Sequence, residues 1–255
     1  MTGRSVSVAL GVASLNLRGL LNDPPKLFPP MLVPLFFFAA FKGALSGIGE
    51  TKGFGYYDFT AFQCVFILFM ASMFAGVFTA FDIASDFESG MGRRLMAAAP
   101  KRMYIIVGYL IVSVGRALIA IAVVWGVVLA TGMPVRGGPL DIAALVLLAV
   151  LLNLATTLYG AGIALRFQSV AAGTLVLIPV FMLLFLTPVF TPRDQLTDWV
   201  QKVAGVNPLT AAMESGRGFL ADDPVSVGLA FAATGGLVVF FAGWAFLGMR
   251  KAEQG

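Results

Sequence analysis

Six charged side chains crowd into one short stretch of this 255-residue sequence: Asp86, Glu88, Arg93, Arg94, Lys101 and Arg102. The stretch, residues 85–102, reads SDFESGMGRRLMAAAPKR and is the longest charged segment between two long apolar runs. Acids first and cations later is the order a helix dipole favours. That predicts a short helix with Asp86 and Glu88 at its start, closed by Pro100. Its chemistry is recognition, since fixed charges on one face give a protein partner something to grip. Groups for covalent work are absent or isolated. The sequence has no His, which removes the commonest general base and metal ligand and with them most hydrolase and metalloprotease mechanisms. The one cysteine, Cys64, sits inside an apolar run, so neither a disulfide framework nor a thiolate metal site is predicted.

A few polar residues stand where they should be costly. Arg116 lies within the apolar run 103–129, roughly 20 Å of helix from its start. A cation at the centre of a membrane helix costs roughly 2.5–3.5 kcal/mol on insertion scales. Either Arg116 faces a cavity or a partner, or residues 103–108 lie in the interface and it sits shallower. Asn153, Thr157 and Gly160 share one helical face, with Thr156 beside them. That stripe suits a helix contact or a wall that meets a substrate.

The elements that position these residues are membrane spans. The chain is 59% hydrophobic and 12% charged, against about 25% charged in soluble domains. Runs at 28–45, 60–81, 103–129, 142–165, 170–190 and 225–247 are each long and apolar enough to be read as spans. Residues 1–22 have no clean cleavage site and divide into two faces. Val6, Leu10, Ala13, Leu17 and Leu20 fall on one, and Arg4, Ser7, Gly11, Ser14 and Arg18 on the other. An amphipathic helix lying in the interface is expected there. Residues 191–223 should form two short helices on the far side of the fifth span. The first carries Trp199, and the second opens with Asn207 as N-cap and Pro208 at its first position. They form either a hairpin dipping into the outer leaflet or an ordinary interfacial loop.

Six spans put both termini on one side. That side holds ten of the 17 cations (Arg4, Arg18, Lys26, Arg93, Arg94, Lys101, Arg102, Arg166, Arg250, Lys251). The other side holds six, leaving Arg116 within a span. The bias predicts cytoplasmic termini and a cytoplasmic 85–102 loop. Topology thus accounts for the net charge of +4, and no nucleic-acid partner is expected.

This order of parts resembles the membrane subunit of ABC-2 type exporters, and within them the daunorubicin-resistance permease group. The carrying residues are Asp86-Phe87-Glu88-Ser89-Gly90 with Leu95 and Pro100, and Asn207-Pro208-Leu209-Thr210 with Glu214 and Arg217. The resemblance implies an all-α fold of six transmembrane helices with an interfacial amino-terminal helix and an outer helical hairpin. It implies that residues 85–102 form a coupling helix docking on an ATPase subunit, with Asp86, Glu88, Gly90, Arg93, Arg94, Leu95, Pro100 and Arg102 as its contacts. It also implies two permease copies with the substrate path between them.

The sequence has no G-x-x-x-x-G-K-[ST] phosphate loop, so ATP and Mg2+ would sit on the partner and this chain is expected to be no enzyme. The expected cargo is an amphipathic drug, lipid or glycoconjugate crossing the cytoplasmic membrane. Arg116, Asn153 and Thr157 are candidates for the path, and Trp199, Asn207, Pro208, Glu214 and Arg217 for the hairpin. Other readings are an intramembrane enzyme, which lacks the acids and His it would need, and a non-ABC channel or scaffold.

Overall fold

The computed structural model describes residues 28–45, 54–99 and 102–252, with positions 10–14, 16, 19, 47 and 49. The described helices, in order, are α1 (Phe28–Leu45), α2 (Phe59–Glu88), α3 (Met91–Ala98), α4 (Met103–Ala130), α5 (Pro139–Phe167), α6 (Thr174–Phe185), α7 (Asp198–Val206), α8 (Pro208–Ala221) and α9 (Val227–Ala252). Among the described residues there is no strand. Five helices (α1, α2, α4, α5 and α9) are long and apolar enough to cross a bilayer, and α6 is a shorter apolar helix. This is an all-α integral membrane protein.

The bundle is built around α2. It has 30 residues, roughly 45 Å of helix, and is apolar on every side. A helix of that composition belongs in a protein core or in lipid, and here 89% of its most apolar window is buried within the bundle. Asp58 starts it by accepting the Ala61 amide at 2.8 Å. On α1, Pro30, Pro34 and Phe38 make the buried stripe, while Phe41 meets the Phe66 ring of α2 at 6.2 Å. The approach of α5 depends on small residues. A Cβ on Gly76 would lie 2.9 Å from both the Asn153 carbonyl and the Thr157 hydroxyl, and one on Gly160 2.3 Å from Ala80. Helices that meet through such residues bring their backbones into contact.

Two sequence expectations change. The second span does not stop at residue 81. It continues to Glu88, because Asp82, Asp86 and Glu88 are helix-compatible side chains that hydropathy alone discounts. The fifth span, expected at 170–190, is helical over 12 residues in α6, roughly 18 Å and short of a bilayer. A 3-10 turn, Val170–Gly173, precedes it, and the chain unwinds after Phe185. Pro179 lies inside α6, where it withholds an N–H from the Leu175 carbonyl. The Tyr159 hydroxyl donates to that carbonyl instead, at 2.7 Å.

Residues 10–14 are helical, with Val12 and Ala13 buried and Leu10 exposed. The rest of the proposed interfacial helix lies mostly outside the described residues.

Candidate functional site

At one end of the bundle the charged stretch folds differently from the dipole-ordered helix read from its sequence. Asp86 and Glu88 close α2, and α3 begins beyond a break at Ser89-Gly90, where Gly90 takes φ +81°. The acids therefore sit at the negative end of a helix, which disfavours them by about 0.3–1 kcal/mol each. Specific donors offset that. The Tyr109 hydroxyl donates to Asp86 Oδ2, and the Val170 amide donates to Glu88 Oε2 at 2.7 Å. Arg93 adds a second link, donating from Nη2 to Gln168 Oε1 at 3.3 Å. Gln168 ends α5 in the left-handed region at φ 49°.

Helix α3 is thus tied to the turn that leads into α6. Met96 and Gly92 point inward, with Gly92 fitted against the Phe87 ring. Met91, Arg93 and Arg94 are exposed, Leu95 and Arg102 half-buried. Pro100 and Lys101 lie outside the described residues.

Deeper in the bundle, Arg116 is 1% exposed and pairs with Asp82, which is 34% exposed, at 2.6 Å. Its Nη1 donates to the Thr79 hydroxyl at 3.1 Å. Arg116 therefore meets its counter-charge within the same chain. An acid near the end of one span and a cation in the next is a pattern that lets antiparallel neighbours pair, and it is the signal in the sequence that points to this contact.

Asn153 and Thr157 are buried as well. Asn153 Nδ2 donates to the Ser72 carbonyl at 2.9 Å, and the Ser113 hydroxyl lies 2.7 Å from that of Thr157. Their polar atoms bind α5 to α2 and α4, so in this structure they form a helix contact. Ser72, Ser113 and Tyr109 were missed, because single hydroxyls in apolar runs carry no distinguishing pattern.

At the opposite end, α7 lies exposed with Trp199 at 64%, whereas α8 is enclosed among α2, α5 and α9. Leu209, Met213 and Leu220 of α8 are all buried. Asn207 is the junction. Its Oδ1 accepts the Leu209 amide at 3.0 Å and caps α8, followed by Pro208. Its Nδ2 donates to the carbonyls of Leu183 at 2.8 Å and Leu186 at 3.3 Å. Gln63, which the sequence reading did not single out, donates to Val189 O at 3.1 Å. The unwound end of α6 thus has internal partners, as non-helical backbone at membrane depth requires.

Arg217 is 6% exposed, stacked 3.4 Å over Phe62 and donating from Nε to the Phe62 carbonyl at 3.2 Å. Tyr56 donates to the Arg217 carbonyl at 2.7 Å, and Tyr57 to Leu220 O and Pro134 O, both at 3.0 Å. Burial raises both phenols above their usual range, which keeps them protonated as donors. Glu214 and Arg217 border a cavity of about 850 Å³ beside these tyrosines. Among the described residues no cluster of acids, His and Cys could hold a metal.

A multi-pass helical membrane protein with a short charged helix slung between its second and third long helices has the layout of a transporter's membrane subunit. Residues 14–220 match the ABC-2 type transporter family, and the chain belongs to that family. It is a permease of an ABC-type transporter. No curated protein matches it.

Proposed function

We propose that this chain is the permease of an ATP-driven exporter, working as two copies with a separate ATPase that docks on α3. The observation that carries this is the double link from the charged end to α6, Glu88 to the Val170 amide and Arg93 to Gln168. A force on α3 reaches a helix too short to span alone, whose far end is held by Asn207 and Gln63. Movement at the ATPase therefore has a short mechanical route to the α7–α8 hairpin. The α6 region completes a sixth crossing of the cytoplasmic membrane, with both termini cytoplasmic. Nucleotide and Mg2+ belong to the ATPase, and the cargo is an amphipathic drug, lipid or glycoconjugate.

The test is co-purification with an ABC ATPase subunit co-expressed with this chain. Arg94→Glu reverses an exposed charge on α3 and leaves the helical packing alone. Truncating one partner of a buried charge contact costs on the order of 2–5 kcal/mol, so recovery of the ATPase should fall some 30-fold or more. Full recovery with Arg94→Glu, and again with Met91→Asp, would remove α3 as the docking element.

A further inference from the structure

A lateral groove of about 520 Å³ opens where α5, α6 and α9 converge, near the end of the bundle that carries α3. Its rim is formed by Phe167, Leu175 and Ile178, all exposed on the flank of the bundle. Arg166 is its one charged lining residue. The Arg166 guanidinium lies 3.4 Å over the Trp244 ring, and Gly162 makes room for that stack. A Cβ on Gly162 would come within 2.1 Å of Trp244 Cδ1. Two donors there are unmet, because Arg166 Nη1 and Trp244 Nε1 are both buried without a hydrogen-bond partner. Among the described residues no carboxylate pairs with Arg166.

A guanidinium nitrogen buried without an acceptor is costly, and an indole N–H in an apolar wall normally finds an acceptor. What is missing is an anionic acceptor attached to something apolar enough to fill the groove. Behind the groove, across Tyr159 and Pro179, lies a second apolar cavity of about 150 Å³.

We propose that this groove is a binding site for an anionic phospholipid. The headgroup phosphate accepts from Arg166 Nη1 and Trp244 Nε1, and an acyl chain lies along Ile178 and Pro179 toward the second cavity. Charge complementarity selects the ligand, since basic pockets between membrane helices favour anionic headgroups and phosphate suits a guanidinium better than a neutral acceptor does. Exposed Arg250 and Lys251 end α9 at the same side and add to the field. The site rests on the proposed orientation only in that it places this end in the cytoplasmic leaflet.

The test uses the full chain in lipid nanodiscs with Trp125→Phe and Trp199→Phe, which leaves Trp244 as the only indole. Phosphatidylglycerol and phosphatidylcholine, each brominated near the headgroup, are added separately as equal minor components. The anionic lipid should quench Trp244 several-fold more than the zwitterionic one. Arg166→Gln should equalise the two, and Arg166→Lys should keep part of the preference.

Equal quenching in the parent protein overturns the site, whether or not the variants fold, and so does a preference that survives Arg166→Gln. No transport or ATPase is read, so failure here leaves the exporter reading standing, and loss of that reading leaves the lipid site standing.

Discussion

The Glu88 carboxylate accepts the Val170 amide at 2.7 Å, so the last turn of α2 is fastened to the turn that starts α6. Neither residue is near the other in sequence, and one contributes only its backbone. If this link transmits motion, breaking it should stop transport while leaving the ATPase attached. A hydrogen bond to a charged group contributes about 1.5–3 kcal/mol, enough to change a conformational balance by at least about tenfold. Glu88→Lys should therefore lose transport by about that factor with normal ATPase recovery, and Glu88→Gln, which keeps an acceptor, should retain most of it. Normal transport by Glu88→Lys would show the link to be incidental.

The Arg116–Asp82 pair should respond asymmetrically. Asp82→Ala leaves a cation that is 1% exposed without its partner, and uncompensated buried charge costs about 3–5 kcal/mol. Arg116→Met leaves Asp82, which is 34% exposed, so the loss should be smaller. The double variant should recover most of the stability. Thermal unfolding in detergent measures all three, and equal losses from the two single variants would contradict this account of the pair.

Asn207→Ala removes an N-cap and the donor to two carbonyls at the end of α6. The cap contributes about 0.5–2 kcal/mol, and an unsatisfied buried carbonyl adds about 1–3 kcal/mol. The variant should unfold at lower denaturant concentration and be cut first by protease between α6 and α8. Asn207→Asp keeps the cap and loses the donor, so its loss should be intermediate.

Topology can be read with single cysteines on a Cys64→Ala background. Ser89 is exposed at the charged end, and Val206 is 84% exposed at the hairpin end. An impermeant thiol reagent applied to intact cells should modify Val206→Cys and spare Ser89→Cys. The reverse pattern would invert the orientation.

Trp199 is exposed on α7, away from the packed core. Trp199→Asp should leave the melting temperature within about 2 °C, since surface changes usually stay within about 0.5 kcal/mol. It should nonetheless reduce transport, because an acid no longer anchors α7 at the membrane boundary. Unchanged transport would make α7 an ordinary connection.

The long spans were legible because a bilayer demands long apolar runs, and α1, α4, α5 and α9 lie close to where hydropathy put them. What hydropathy could not see was partnership. Asp82 ended the second span on paper because an acid reads as exposed, whereas a cation 34 residues away keeps it in the helix. The fifth span was drawn to full length because its composition is apolar throughout, and nothing local showed that Asn207 and Gln63 would serve its unwound carbonyls. The hairpin caps were readable from Asn207-Pro208, since capping is local chemistry. The enclosure of α8 was not, because burial depends on elements distant in sequence.

Enclosing α2 has a consequence for biogenesis. Emerging second among the described helices, it offers Gln63, Ser72 and Thr79 to the lipid before their partners exist. Thr79 can bond back to the Ala75 carbonyl at once, and Arg116 joins it when α4 arrives. Ser72 waits for Ala149, 77 residues later, and Gln63 for Val189, 126 residues later. The nascent chain must therefore insert α2 before Gln63 and Ser72 have the partners they hold in the folded bundle. Chains halted after Ala130 should be the ones that membrane quality control removes fastest.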